Sequence, residues 1–166
     1  MEVEAITVVT TEICTLADIT DASAGGKAYG LARLLAMGLP VPPAFVLRNA
    51  CADAFPDMLD QAYRDLGKEA VAVRSSALGE DGTDASFAGQ YDTVLNVRGP
   101  EALREAIQRC VASVSNERAR SYLHDQTGSD TATMNVVVQA LVNARPAGVV
   151  FTADPLSARP DLWVID

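Results

Sequence analysis

Histidine is nearly absent from this chain and cysteine is scarce. A single histidine, His124, and three cysteines, Cys14, Cys51 and Cys110, are spread over 166 residues. None stands at metal-ligand spacing, and an odd number of distant thiols argues against a disulfide framework, so buried free thiols are expected. Positive charge is also in short supply: 13 Lys and Arg against 22 Asp and Glu give a formal charge of -9. A protein that neutralises nucleic-acid phosphates needs a basic face, which argues against nucleic acid as a partner. A small anion is still allowed, because a few cations inside a cleft outweigh a distant acidic surface. Aromatic residues make up only 5% of the chain, so its core must come from Ala, Val, Leu and Ile. No apolar run reaches membrane-spanning length, and the acidic start Met1-Glu2-Val3-Glu4 is unlike a signal peptide. The expected setting is the cytoplasm, without a membrane partner.

What the chain does contain is the composition of one globular domain with one core: 49% apolar residues and 21% charged. Residues 5–9 (AITVV) suit a short opening strand. After Gly25-Gly26, the segment Lys27 to Met37 places Leu31, Leu34 and Leu35 at helical spacing, and Gly38 is a natural stop. Leu39 to Pro43 is too proline-rich for a helix and leads into a strand at Phe45–Leu47. An amphipathic helix is predicted over 53–66, with Pro56 in its first turn and Gly67 at its end. Ala70 to Arg74 reads as a buried strand, followed by a polar loop from Ser75 to Ala85 and a second strand over 87–97, together a hairpin. Gly99-Pro100 opens a helix whose apolar stripe is Leu103, Ile107, Cys110, Val111 and Val114. Residues 124–133 are a polar linker. Met134–Leu141, Gly148–Thr152 and Trp163–Asp166 are the remaining strand candidates. The mixture predicts an α+β arrangement on a largely antiparallel sheet.

Three groups of residues suit anion chemistry. Lys27 follows two glycines at a helix start, where unpaired N–H groups and the helix dipole favour negative charge. Ordinary helix entry explains the same residues. Arg74 stands at the mouth of a buried strand, where a lone charge is costly and must meet a phosphate or a buried carboxylate. Ser75 and Ser76 follow it, and across the long loop Ser86, Gly89 and Gln90 offer hydroxyl, backbone and amide donors. Glu80, Asp81 and Asp84 suit a solvated loop tip better. His124 has no partner for catalysis beside it in sequence, and Ser75 and Ser76 lack the setting of a hydrolase nucleophile. Thr152 and Asp154 stand at a strand end, where ligand contacts and turn capping are equally at home.

Three blocks, GGKAYGLARLLAMGLPVPPAFVL, VAVRSSALGEDGTDASFAGQYDTVLNVRG and VVVQALVNARPAGVVFTADPLS, resemble in order the ATP-binding domain of phosphoenolpyruvate synthase, pyruvate phosphate dikinase and rifampicin phosphotransferase. That resemblance implies an ATP-grasp fold, with a first lobe over 1–133 and the interlobe connection and start of a second lobe over 134–166, incomplete at the C-terminus. It implies that Lys27 and Arg74 bind ATP phosphates under the Ser75–Gln90 hairpin. Gln139, Leu141 and Val142 then lie against the adenine, and Thr152 lies near the ligand. Two features depart from the family: the interval from Arg48 to Ala70 is short, and the family's magnesium ligands fall beyond Asp166. A separate chain carrying the rest of the domain and a phosphohistidine domain is therefore an expected partner. The chain reads as the ATP-binding part of a phosphotransferase that moves phosphate from ATP to a histidine. The alternatives are a non-catalytic nucleotide-binding or interaction module and a decayed fragment. The open sheet edge at Trp163 to Asp166 also leads to the expectation that Val136, Val138 and Val149 lie against apolar surface from the missing half.

Overall fold

The computed structural model describes residues 10–77, 93–113, 134–153, 157, 159 and 161–165. Its centre is a five-stranded sheet in the order β1-β2-β5-β3-β4, built from β1 (Glu12–Thr15), β2 (Ala44–Ala50), β3 (Val71–Ser76), β4 (Thr93–Val97) and β5 (Met134–Ala140). Every neighbouring pair is antiparallel. β5 enters between β2 and β3, so these two strands run parallel with a third between them, as in a split crossover. The mixed helix and strand content and the antiparallel sheet agree with the α+β expectation. A separate two-stranded ribbon pairs β6 (Val150–Phe151) with β7 (Val164–Ile165).

The helices α1 (Gly26–Ala36), α2 (Leu59–Asp65) and α3 (Pro100–Ala112) divide between the two faces of the sheet. On one face Leu59 of α2 and Leu103, Ala106, Ile107 and Cys110 of α3 meet Leu47, Val71, Val73, Val136 and Val138. On the other, Ala24, Ala28 and Ala32 meet Val46 and Val137, with two 3-10 turns, Leu16–Asp18 and Ala22–Ala24, closing the end. Strand alternation explains this split: successive residues of β5 are all buried because both faces of the central strand are covered. Each fully buried Val, Leu or Ile contributes about 1.5–3 kcal/mol.

Several elements differ from expectation. Residues 5–9, Val114 and the 124–133 linker lie outside the described residues, while the first described strand, β1, is one that the sequence pattern did not reveal. Within α1 the buried residues are Ala28 and Ala32, whereas Leu34 and Leu35 are each 42% exposed. Small side chains let this helix lie close to the sheet, and the leucines flank it. The predicted 53–66 helix is confined to Leu59–Asp65: Pro56 precedes it, its carbonyl accepting from Leu59 N at 2.9 Å. Arg104, expected off the stripe, bridges the two helices by donating to Asp60 at 2.7 Å while its guanidinium lies over Phe55.

β3 runs on through Ser75 and Ser76, which pair with Val136 and Asn135 and so belong to the sheet rather than to a loop. Val136 and Val138 are fully covered within this chain, and Val149 is exposed. Of the thiols, Cys110 is buried, Cys14 half-buried and Cys51 exposed, and all three are free, so burial holds only for the first. Burial pushes the Cys14 thiol above its ordinary pKa, more than the nearby Arg48 lowers it, and Sγ donates to the Val46 carbonyl. No helix among the described residues is long and apolar enough to cross a membrane.

Ile107 is the largest wholly buried residue contributed by the middle of α3. Ile107→Ala is expected to cost about 2–5 kcal/mol of unfolding free energy, mostly through the cavity it leaves. Urea titration followed by circular dichroism measures it. A loss below about 1 kcal/mol would mean that α3 is not packed as described.

Candidate nucleotide site

The site is organised where α1 begins, against the end of β3. Gly25 takes φ 85° and ψ 161°, a region essentially reserved for glycine. A β-carbon there would stand 2.2 Å from the Ser76 carbonyl oxygen and 2.4 Å from Ser76 Oγ. The backbones are therefore in direct contact, and hydrogen bonds join them. Gly26 N donates to the Ala77 carbonyl at 3.2 Å, and Ala28 N donates to Ser76 Oγ at 3.0 Å. Ser76 Oγ in turn donates to the Ala24 carbonyl at 2.9 Å. A helix start normally leaves its first N–H groups without partners. Here two of them are satisfied by the strand, so the glycine pair admits β3 rather than an anion, and the reading of these N–H groups as an open anion cradle is corrected.

The clasp has a consequence for Lys27 and Arg74. Lys27, in the first turn of α1, is half-buried and is brought to the end of β3 that carries Arg74, two residues before Ser76. Arg74 is directly opposite Val137 of β5 and Thr93 of β4. Val137 packs against α1, so Arg74 shares that face. The Arg74 side chain is half-buried, and no carboxylate, carbonyl or amide among the described residues bonds its guanidinium. Ser75 is fully buried, but alternation turns it to the opposite face with Val136. Ser76 is also fully buried and spends its hydroxyl on α1. Ser86, Gly89 and Gln90 lie outside the described residues.

Toward the other end of the same face, Gln139 pairs with Ala72 and Ala44 and is only 8% exposed. Its Nε2 donates to the Pro42 carbonyl at 3.3 Å. Beyond it the chain leaves the sheet: Leu141 N bonds the Ala70 carbonyl at 3.0 Å. Leu141, Val142 and Asn143 then form one wall of a cavity of about 540 Å³, with Pro40 to Pro43 and Lys68 opposite. That volume suits a small-molecule ligand. Thr152 is exposed beside β6 and does not line this cavity.

Sequence reasoning missed three contributors. Thr93 is in register with Arg74 and exposed; only the hairpin register reveals it. Asn135 is buried, accepts from Asn49 N and donates to the Ser23 carbonyl, holding the left-handed bulge of β2 against the turn before α1. Its signal was a lone amide in an otherwise apolar strand start. Lys68 reaches the cavity because β3 begins beside the end of β5.

Residues 49–166 match the pyruvate phosphate dikinase AMP/ATP-binding domain. The chain belongs to that family. It is 40% identical to the prodigiosin synthesizing transferase PigC of Serratia marcescens, with 86% of this chain and 19% of that protein aligned. It is 34% identical to the phosphoenolpyruvate synthase of Aeropyrum pernix over 86% of this chain and 24% of the relative. With the rifampicin phosphotransferase of Streptomyces sviceus it shares 48% identity over 60% of this chain and 12% of the relative. The chain thus spans a quarter or less of the length of these relatives. The alignment with the synthase extends over 196 positions, more than this chain has residues, so the relative carries segments without a counterpart here. The interval that the sequence marked as short holds just α2, two turns long.

The clasp gives a direct test. Gly25→Ala is expected to cost about 3 kcal/mol or more, from backbone strain and overlap with Ser76. Ser76→Ala, which strands Ala28 N and the Ala24 carbonyl, is expected to cost about 1–3 kcal/mol. Chemical denaturation of both variants measures these losses. Wild-type stability in either would show that α1 and β3 are not joined in this way.

Proposed function

We propose that this chain is the ATP-binding portion of a phosphotransferase of the phosphoenolpyruvate synthase and pyruvate phosphate dikinase type, built on an ATP-grasp plan. In this reading residues up to 133 form the first lobe, and the segment from 134 carries the interlobe connection and the start of the second. The observation that carries the proposal is the Arg74 guanidinium: half-buried, without a protein partner among the described residues, and on the sheet face that leads to the cavity of about 540 Å³. A planar, permanently charged fork in that position suits phosphate oxygens. On this reading Lys27, in the first turn of α1, supplies a second charge, and the apolar walls at Pro40 to Pro43 and Leu141 suit a nucleobase.

These residues bind and orient. Two cations set along the phosphates draw negative charge off the group being transferred, and the clasp spares the site any reorganisation as that charge develops. Among the described residues no three His, Cys, Asp or Glu side chains come together to hold a metal. On this reading the metal ligands and the histidine that accepts the phosphoryl group are supplied elsewhere. The unpartnered Arg74 guanidinium suits a second reading equally, a nucleotide-binding or interaction module without chemistry of its own. Both readings share the ATP site, and they part on whether ATP turns over.

Calorimetry with Mg-ATP tests the shared claim. Arg74→Ala is expected to weaken binding by about 1.5–3 kcal/mol, the scale of a charge-assisted contact, and by more than Lys27→Ala does. Circular dichroism establishes that both variants are folded. Wild-type affinity in both folded variants would remove the phosphate assignment.

A further inference from the structure

Two buried polar residues stand opposite each other in the β3–β5 register, and both spend their side chains on the turn that leads into α1. Ser76 Oγ donates to the Ala24 carbonyl at 2.9 Å. Asn135, its partner across the ladder, is 7% exposed, and its Nδ2 donates to the preceding carbonyl, that of Ser23, at 3.0 Å. Asn135 Oδ1 accepts from Asn49 N at 3.1 Å, so donor and acceptor of the amide are both committed.

β2 is irregular at the same level. Leu47 is opposite Val136 and Ala50 is opposite Met134, so Arg48 and Asn49 together face the single residue Asn135. This is a bulge, with Asn49 in the left-handed region at φ 51°. A left-handed residue strains the strand, and a buried amide adds nothing to an apolar core. A regular ladder with an apolar residue at 135 would avoid both costs. The bulge does serve the turn: its other residue, Arg48, donates from Nη2 to Ser23 Oγ at 2.8 Å. Arg48 and Asn135 thus converge on Ser23. Lys27 is thereby bracketed, with Ser23 held before it and Ala28 N held after it by Ser76 Oγ.

We infer that Asn135 is a positioning residue for the phosphate site, acting through Lys27 by fixing the turn that leads into its helix. The inference rests on the ATP reading and extends it to a side chain that touches no ligand. A charge on a turn already fixed meets the phosphate without the ordering cost that a loose turn would add.

A double-mutant cycle on Mg-ATP affinity, measured by calorimetry and referred to the folded fraction, tests this. Asn135→Leu, similar in size but without either hydrogen bond, is expected to weaken binding about ten-fold. Added to Lys27→Ala, it is expected to bring less than about a two-fold further loss, because the charge it positions is gone. Arg48→Met removes an exposed bond to the same turn and is expected to show a smaller loss with the same dependence on Lys27; it reports even where Asn135→Leu does not fold. Ile107→Ala, which destabilises the opposite face of the sheet, is expected to bind ATP as the wild type does, which separates positioning from stability. Full additivity of the turn variants with Lys27→Ala, or wild-type affinity in both of them alone, would overturn the inference and leave the ATP site standing. No binding of ATP by the wild type would overturn both.

Discussion

The close approach of Gly25 to Ser76 is the constraint on which the rest of the site depends. A helix and a strand that are 48 residues apart in sequence meet there, backbone on backbone, with Ala28 N bonded to Ser76 Oγ. No side chain larger than hydrogen fits at Gly25. The alanine face of α1 continues the same requirement along the helix, since Ala28 and Ala32 let it settle on Val46 and Val137. With α1 held this way, its first turn, which carries Lys27, is fixed against the end of β3.

Alternation along β3 and β5 sorts the neighbouring residues by task. Val71, Val73, Ser75, Val136 and Val138 face α2 and α3, where the core is made. Ala72, Arg74, Ser76, Val137 and Gln139 face α1, where the polar groups gather. One sheet thus carries the larger apolar core on one side and Arg74 and Gln139 on the other, and a shift of one residue in the β3–β5 register would exchange them.

Much of this was legible in the sequence. The turn residues and apolar runs placed α1, α3, β2, β3 and β5, and the cost of a charge at the end of Ala-Val-Ala-Val singled out Arg74. Ser75 and Ser76 were read as the start of a loop because periodicity alone cannot tell which neighbouring strand will pair with them. The intervening β5 comes from residues 134–140, some 60 positions later, and only that long-range pairing turns Ser75 away and buries Ser76. The two glycines were read as an opening for an anion, whereas a tertiary contact uses them. Pro56 misled about α2, since a proline marks a first turn and the turn before a helix with the same residue. Lys68 and Asn135 acquire their places from strand neighbours that no local pattern specifies.

Amide hydrogen exchange at Gly26 and Ala28 tests the central claim most directly. First-turn amides of a helix ordinarily lack partners and exchange at the rates of a fraying end. If the clasp holds as described, both exchange only with global unfolding, as slowly as Val137 in the middle of β5. Rapid exchange at these two amides, with Val137 still protected, would show that α1 is not locked to β3.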